Sequence, residues 1–141
     1  MSSRMYTAPV QSLPPLFAAL ADGTRLRLLN LLNAGEVCVC YFVEILGESQ
    51  PKISRHLAYL RRVGLVNARR DGKWIHYSLA RPDDAAASAV VDATLAAITN
   101  DRQMQRDRLA LEKVCCASES KLPPTLQYAP KPILAGAARD A

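Results

Sequence analysis

Two close pairs of cysteines are the residues best suited to chemistry: Cys38 and Cys40, two positions apart, and the adjacent Cys115 and Cys116. Thiolates bind soft metals and metalloids, and they are also where redox chemistry acts. Neither pair is C-x-x-C. No nucleophile is matched by a base and an orienting partner, so a small thiol-dependent enzyme is the weaker use of these groups. If Cys38 and Cys40 both lay on a regular helix, they would stand about 200° apart around its axis. One ion would then reach both only by unwinding the helix start, and the positive end of the helix would favour ionised thiols.

A second chemistry follows within a few residues. Ser49 is a candidate N-cap and Pro51 falls in the first turn, where its missing N–H costs nothing. Ile53, Leu57, Leu60 and Val63 recur at helical spacing and face a core, leaving Lys52, Arg55, His56, Tyr59 and Arg62 opposite. Gly64 closes this helix. A short helix from about Cys40 to Leu46 and a Gly47-Glu48 turn precede it. Together they read as a helix-turn-helix whose second, basic helix reads the major groove. Gln50 and Arg55 are the candidates for base edges. Lys52, Ser54 and His56 are candidates for the backbone, since phosphate contacts position a reader while base contacts specify.

The flanking elements must hold these groups in place. Pro14–Pro15 opens a helix through Leu16, Phe17, Ala19 and Leu20 that ends near Ala21. After the Asp22-Gly23 break, Thr24 is the expected N-cap of a helix from Arg25 to Asn33, which stops at a positive-φ Gly35. From Leu65 to Leu79 the period changes to two, with Asp71-Gly72 as a hairpin turn. A hairpin directly after a helix-turn-helix is a wing; Arg69, Arg70 and Lys73 make its tip basic and are candidates for phosphate contacts. His76 sits beside Trp74 as a structural residue. Asp83 and Asp84 suit the start of an alanine-rich helical stretch, Ala85 to Leu111, broken near Asn100-Asp101. Val91, Leu95 and Ile98, with Leu16 and Phe17, are the expected dimer interface. Dimerisation would place two reading helices roughly 34 Å apart, one turn of DNA. From Ala117 on, prolines and small residues read as an unstructured tail.

Composition agrees. The 141 residues, half of them hydrophobic and 6% aromatic, suit one small domain that is mostly α with a β-hairpin. The formal charge of +5 favours an anionic partner, here double-stranded DNA. Three stretches follow: a flexible N-terminus (1–12), a winged helix-turn-helix with terminal dimerisation helices (13–114), and the vicinal cysteines with a disordered Pro/Ala-rich tail (115–141). No secretory pattern opens the chain and no apolar run is long enough to span a bilayer. The expected setting is the cytoplasm, with reduced thiols and no membrane partner.

From Leu16 to Leu79, four motifs in order resemble the ArsR/SmtB family of metal-sensing winged-helix repressors: FAALADGTRLRLLNLL, EVCVCYFVEIL, SQPKISRHLAYLRRVGLV and ARRDGKWIHYSL. The EVCVC stretch is most similar to the arsenic- and antimony-responsive branch. That resemblance implies a homodimer that holds an operator and releases it when As(III) or Sb(III) binds as inducer, with no other cofactor. The arsenic-type motif commonly has a third cysteine where this chain has Val43, so the third ligand is expected from Cys115 or Cys116 of either protomer. The zinc-type members carry histidine and carboxylate ligands on the last helix. That helix has no histidine here, which argues against a zinc sensor of that design. Cadmium- or lead-responsive and thiol-redox repressors of the same fold are the alternatives.

Overall fold

The structure, a computed structural model, describes residues 13–135; the expected flexible segment 1–12 lies outside them. Helix α1 (residues 13–20) buries Leu16, Ala19 and Leu20. Helix α2 (Gly23–Leu32) is capped by Asp22, not Thr24: the Asp22 carboxylate accepts from the Arg25 backbone N–H at 3.0 Å. A cap two residues earlier places Gly23 inside the helix. It also lets the Arg25 guanidinium donate to the Ala18 and Ala19 carbonyls at 3.0 and 2.8 Å, in the last turn of α1, where helix carbonyls run short of partners.

A larger departure from expectation is a strand, β1 (Gly35–Cys38), directly before helix α3 (Val39–Leu46). Gly47 ends α3 with φ +70, and Ser49 caps α4 (Gln50–Arg62) by accepting from the Lys52 N–H. Ile53, Leu57 and Leu60 are fully buried along α4. The wing is β2 (Val66–Asp71) and β3 (Trp74–Leu79), with Asp71 paired to Trp74. Its two-residue loop is therefore Gly72-Lys73, one position later than expected. Gly72 alone takes a positive φ, +61, which is the first-position glycine of a type II′ hairpin.

The hairpin is part of a larger sheet in the order β2-β3-β1-β4. β1 runs antiparallel to β3, with Val37 opposite Tyr77 and Cys38 opposite His76. Helix α5 (Ala85–Ile98) is capped by Asp84 and α6 (Arg102–Cys116) by Asp101, so the long alanine-rich stretch breaks where Asn100-Asp101 suggested.

Burial and pairing overturn one expectation and bear on another. Residues 117–135 are not a disordered tail. A short 3-10 turn (Glu119–Lys121) leads to Leu122, Leu126, Ala129 and Leu134, all buried, and β4 (Ile133–Leu134) pairs with β1. Between the 3-10 turn and β4, residues 124–128 form turns, with the Leu126 N–H donating to the Pro123 carbonyl at 2.9 Å and the Ala129 N–H to the Leu126 carbonyl at 3.2 Å. Leu16, Val91 and Leu95, expected at a dimer interface, are 3%, 0% and 5% exposed in the single chain and belong to its own core. Phe17, 53% exposed, Ile98, half-buried, and Leu109, 64% exposed, are among the apolar residues left facing outward there.

Candidate thiol site and nucleic-acid interface

The thiols sit at a junction of three elements. Cys38 is the last residue of β1 and the N-cap of α3, with extended backbone (φ −76, ψ 149). Cys40 lies in the first turn of α3. Because the strand-to-helix bend falls between them, they are not on opposite sides of one helix, and no unwinding is needed to bring them together. Cys38 is close enough to act on Cys40. Burial, then the Cys38 thiol, push Cys40 from 9.0 up to about 11. The helix start was expected to ionise the thiols; desolvation outweighs it at Cys40.

Tyr41, next along α3, is fully buried, and its hydroxyl has no hydrogen-bond partner among the described residues. Burial first, then the Cys38, Cys115 and Cys40 thiols, raise it to about 12. The hydroxyl therefore lies within electrostatic reach of three of the four sulfurs. Cys115 is half-buried near the end of α6, and its Sγ donates to the Pro132 carbonyl at 3.6 Å. Desolvation and Cys116 raise Cys115 as well. The Lys131 ammonium donates to the Cys115 and Ala117 carbonyls, satisfying the end of α6. Cys116 is exposed, on a separate cleft of about 660 Å³ with Lys113, Lys121 and Leu122. All four thiols are free. No three or more His, Cys, Asp or Glu side chains are gathered to hold a metal ion among the described residues. The structure thus brings Cys38 and Cys40 together, holds Cys115 at the Pro132 carbonyl, and leaves Cys116 on a separate cleft.

β1 also reaches the wing. Opposed residues on antiparallel strands share a face, so Glu36, Cys38, His76 and Arg69 lie on one side of the sheet. Glu36 accepts from Arg69 Nη2 at 2.6 Å and Nε at 3.2 Å. His76 is 5% exposed, with Asp71 at 3.7 Å and Nε2 otherwise unpartnered. Arg69, expected at the DNA backbone, is held by Glu36. Arg70 and Lys73 are exposed, and Lys73 rests over the Trp74 ring at 5.2 Å.

On α4, Gln50 and Arg55 are exposed and Ser54 half-buried. Lys52 pairs with Glu48 at 3.1 Å, one turn back. His56 is turned inward. Its Nδ1 lies 3.3 Å from the Arg25 guanidinium, which also stacks on Tyr59 at 4.3 Å. Burial lowers the His56 pKa, so a neutral ring serves as an anchor between α2 and α4. Arg61, absent from the sequence-derived set, is exposed and lines a depression of about 470 Å³ with Ser54, Ala58, Arg62 and Tyr77, between α4 and the wing. Its helical phase with Ser54 and Ala58 was the available signal. The result is a polar outer face on α4 beside a basic wing tip, the arrangement that reads a major groove.

Residues 22–68 match the family described as "Bacterial regulatory protein, arsR family". The arsenical resistance operon repressor of Escherichia coli (strain K12) is 48% identical over 88 residues, 62% of this chain and 72% of that protein. Matches to relatives of this kind span between 53% and 72% of the relatives' lengths. Among solved structures, the AntR antimony-specific transcriptional repressor is 30% identical, with a TM-score of 0.54 over 69% of this chain and 86% of that one. A homodimeric winged helix-turn-helix DNA-binding domain from Mycobacterium bovis, a possible ArsR-family regulator, is 33% identical, with a TM-score of 0.53 over 67% and 86%.

Proposed function

The chain belongs to the bacterial arsR family, and we propose that it is an As(III)- or Sb(III)-responsive transcriptional repressor that holds operator DNA as a homodimer and releases it when its thiols take up the metalloid. It is a DNA-binding regulator and not an enzyme. No resident cofactor is needed; the metalloid is the inducer. Among the described residues no helix is long and apolar enough to cross a membrane. The proposed setting is the cytoplasm, where thiols stay reduced.

The observation that carries the reading is that Cys38 and Cys40 straddle the β1–α3 junction. β1 is tied to the wing through Cys38–His76 pairing and the Glu36–Arg69 ion pair. α3 packs on α4, the proposed reading helix. Drawing the two sulfurs onto one atom acts on wing and reading helix at once. In this reading Gln50 and Arg55 meet base edges, Ser54, Lys52, Arg70 and Lys73 meet the backbone, and Arg69 and His56 position those elements. Cys115 is the candidate for a third sulfur, from either protomer, once it leaves the Pro132 carbonyl. Exposed Cys116 is the less suited of the two.

The donor set suits a metalloid better than a divalent cation. A divalent ion must expel the thiol protons into water, and the raised Cys40 thiol opposes that. Arsenous acid, As(OH)₃, carries its own proton acceptors: each thiol displaces one hydroxide, and the proton leaves on water.

The test is fluorescence anisotropy on operator DNA with As(III), Sb(III), Cd(II), Pb(II) and Zn(II) added in turn. Release by As(III) and Sb(III) is expected, with its loss in Cys38→Ser and Cys40→Ser and loss of DNA binding alone in Arg55→Ala. Release that survives both cysteine variants would overturn the reading.

A further inference from the structure

We infer that the depression between α4 and the wing seats one phosphate of the DNA backbone, gripped by the Arg61 guanidinium and by the Ser54 and Tyr77 hydroxyls. The inference rests on the repressor reading above and gives Arg61 and Tyr77 a role in it. An α-helix lying in a major groove about 12 Å wide has a phosphate backbone on each flank. The wing flanks α4 on one side, packed on it through β2. A backbone strand on that side passes where helix and wing meet.

Helical phase and strand register converge on that place. Ser54, Ala58 and Arg61 follow one another at spacings of four and three along α4 and share a face. On the wing, Tyr77 stands opposite Ala68 and Ile75 opposite Arg70. Residues two apart on a strand share a face, so Arg70 lies on the Tyr77 side of the sheet. Ser54, Ala58, Arg61 and Tyr77 then line one depression of about 470 Å³. Charge selects its occupant. Arg25, Arg27, Arg69 and Arg81 are each paired with a carboxylate, and Arg62 lies over the Tyr59 ring. Arg61 is exposed and has no carboxylate partner among the described residues, and none lines the depression. A guanidinium with two hydroxyls around a concave surface is a donor set for phosphate oxygens. Burial raises the Tyr77 pKa and the Arg61 guanidinium opposes the rise, so the hydroxyl stays a donor. The Tyr77 ring packs on Phe42 of α3 at 6.4 Å, and Tyr77 pairs with Val37 of β1. The wing wall of the seat therefore rests on the two elements that carry Cys38 and Cys40.

The experiment uses the full-length protein and two duplexes of equal length: an operator enriched by the protein from a random-sequence pool, and an unrelated sequence. Affinity is measured by fluorescence anisotropy over a salt series. Arg61→Ala is expected to weaken both duplexes alike, about tenfold per protomer, and to lower the slope of log affinity against log salt by about one per protomer. Arg61→Lys keeps the charge and should restore the slope. Tyr77→Phe keeps the ring on Phe42 and should weaken both duplexes about fivefold per protomer with the slope unchanged, since a neutral donor releases no counterion. Lys121→Ala, which removes a charge at the separate cleft, should change neither quantity. Unchanged affinity and slope in Arg61→Ala overturn the seat and leave the repressor reading standing. A loss confined to the operator also overturns it, as the mark of a base contact. So does an equal change in Lys121→Ala, as the mark of the field of the whole surface. A parent protein that prefers no sequence overturns the repressor reading, while the unrelated duplex still decides the seat.

Discussion

Cys40 and Tyr41 show how burial at single residues sets the chemistry of the thiol site. Both hold their protons more tightly in the fold than in the open chain, Cys40 at about 11 against 9.0 and Tyr41 at about 12 against 10.0. Their contribution to stability is complete below pH 9. Between 9 and 11 the unfolded chain ionises Cys40 first, and stability falls as pH rises; Tyr41 adds a loss of the same sign one unit higher. Melting temperature is therefore expected to fall across pH 9–11, and less steeply in Cys40→Ala. A Cys40→Ala profile parallel to that of the parent protein would count against the burial argument. The same protonated state suits a hydroxo-metalloid whose hydroxides accept the protons.

At the scale of elements, β1 connects the site to its surroundings, and Gly35 shows the constraint. The glycine was expected to stop α2 through a positive φ. Its φ is ordinary, and the need is steric: a Cβ there would strike the Ile133 carbonyl oxygen and the Leu134 backbone of β4. Gly35→Ala should unseat β4 at a cost of about 1–3 kcal/mol, within the range for overpacking. Hydrogen exchange should then rise at Ala135, whose N–H donates to the Ala34 carbonyl at 3.0 Å, while α4 stays protected. Unchanged protection at Ala135 would show that β4 tolerates the methyl group.

Across the whole molecule, α6 ties the DNA-reading half to the thiol site. Arg27 on α2 makes two hydrogen bonds to the buried Asp107, at 2.7 and 2.9 Å, and Gln103 adds a third at 2.8 Å. Asn30 donates to the Met104 carbonyl at 2.9 Å. α6 also packs on α3 and ends in Cys115. Asp107→Ala leaves Arg27 and Gln103 without an acceptor and should cost about 2–3 kcal/mol by urea denaturation, as expected for bonds to a buried charge. A loss under 0.5 kcal/mol would mean that water replaces the carboxylate.

The groups capable of chemistry and the local frame around them were legible in the sequence, because capping, helical spacing and turn glycines act over four residues or fewer. Ser49, Pro51, Ile53, Leu57, Leu60 and Gly64 define the reading helix that way, and Asp101 marks the break before α6. Four residues of β1, GEVC, are too few to show a period; only pairing with β3 and β4 makes them a strand. That pairing puts the bend between Cys38 and Cys40 and turns two apparently opposed thiols into neighbours. Leu16, Val91 and Leu95 looked available to a partner because spacing reports an apolar face and not what covers it. The tail looked structureless because its prolines are local, whereas the burial of Leu122, Leu126 and Leu134 depends on surfaces formed far away in the chain. Sequence alone singled out the side chains capable of the proposed chemistry; tertiary packing decided which of them meet, since distance between elements is not encoded in the periodicity of any one of them.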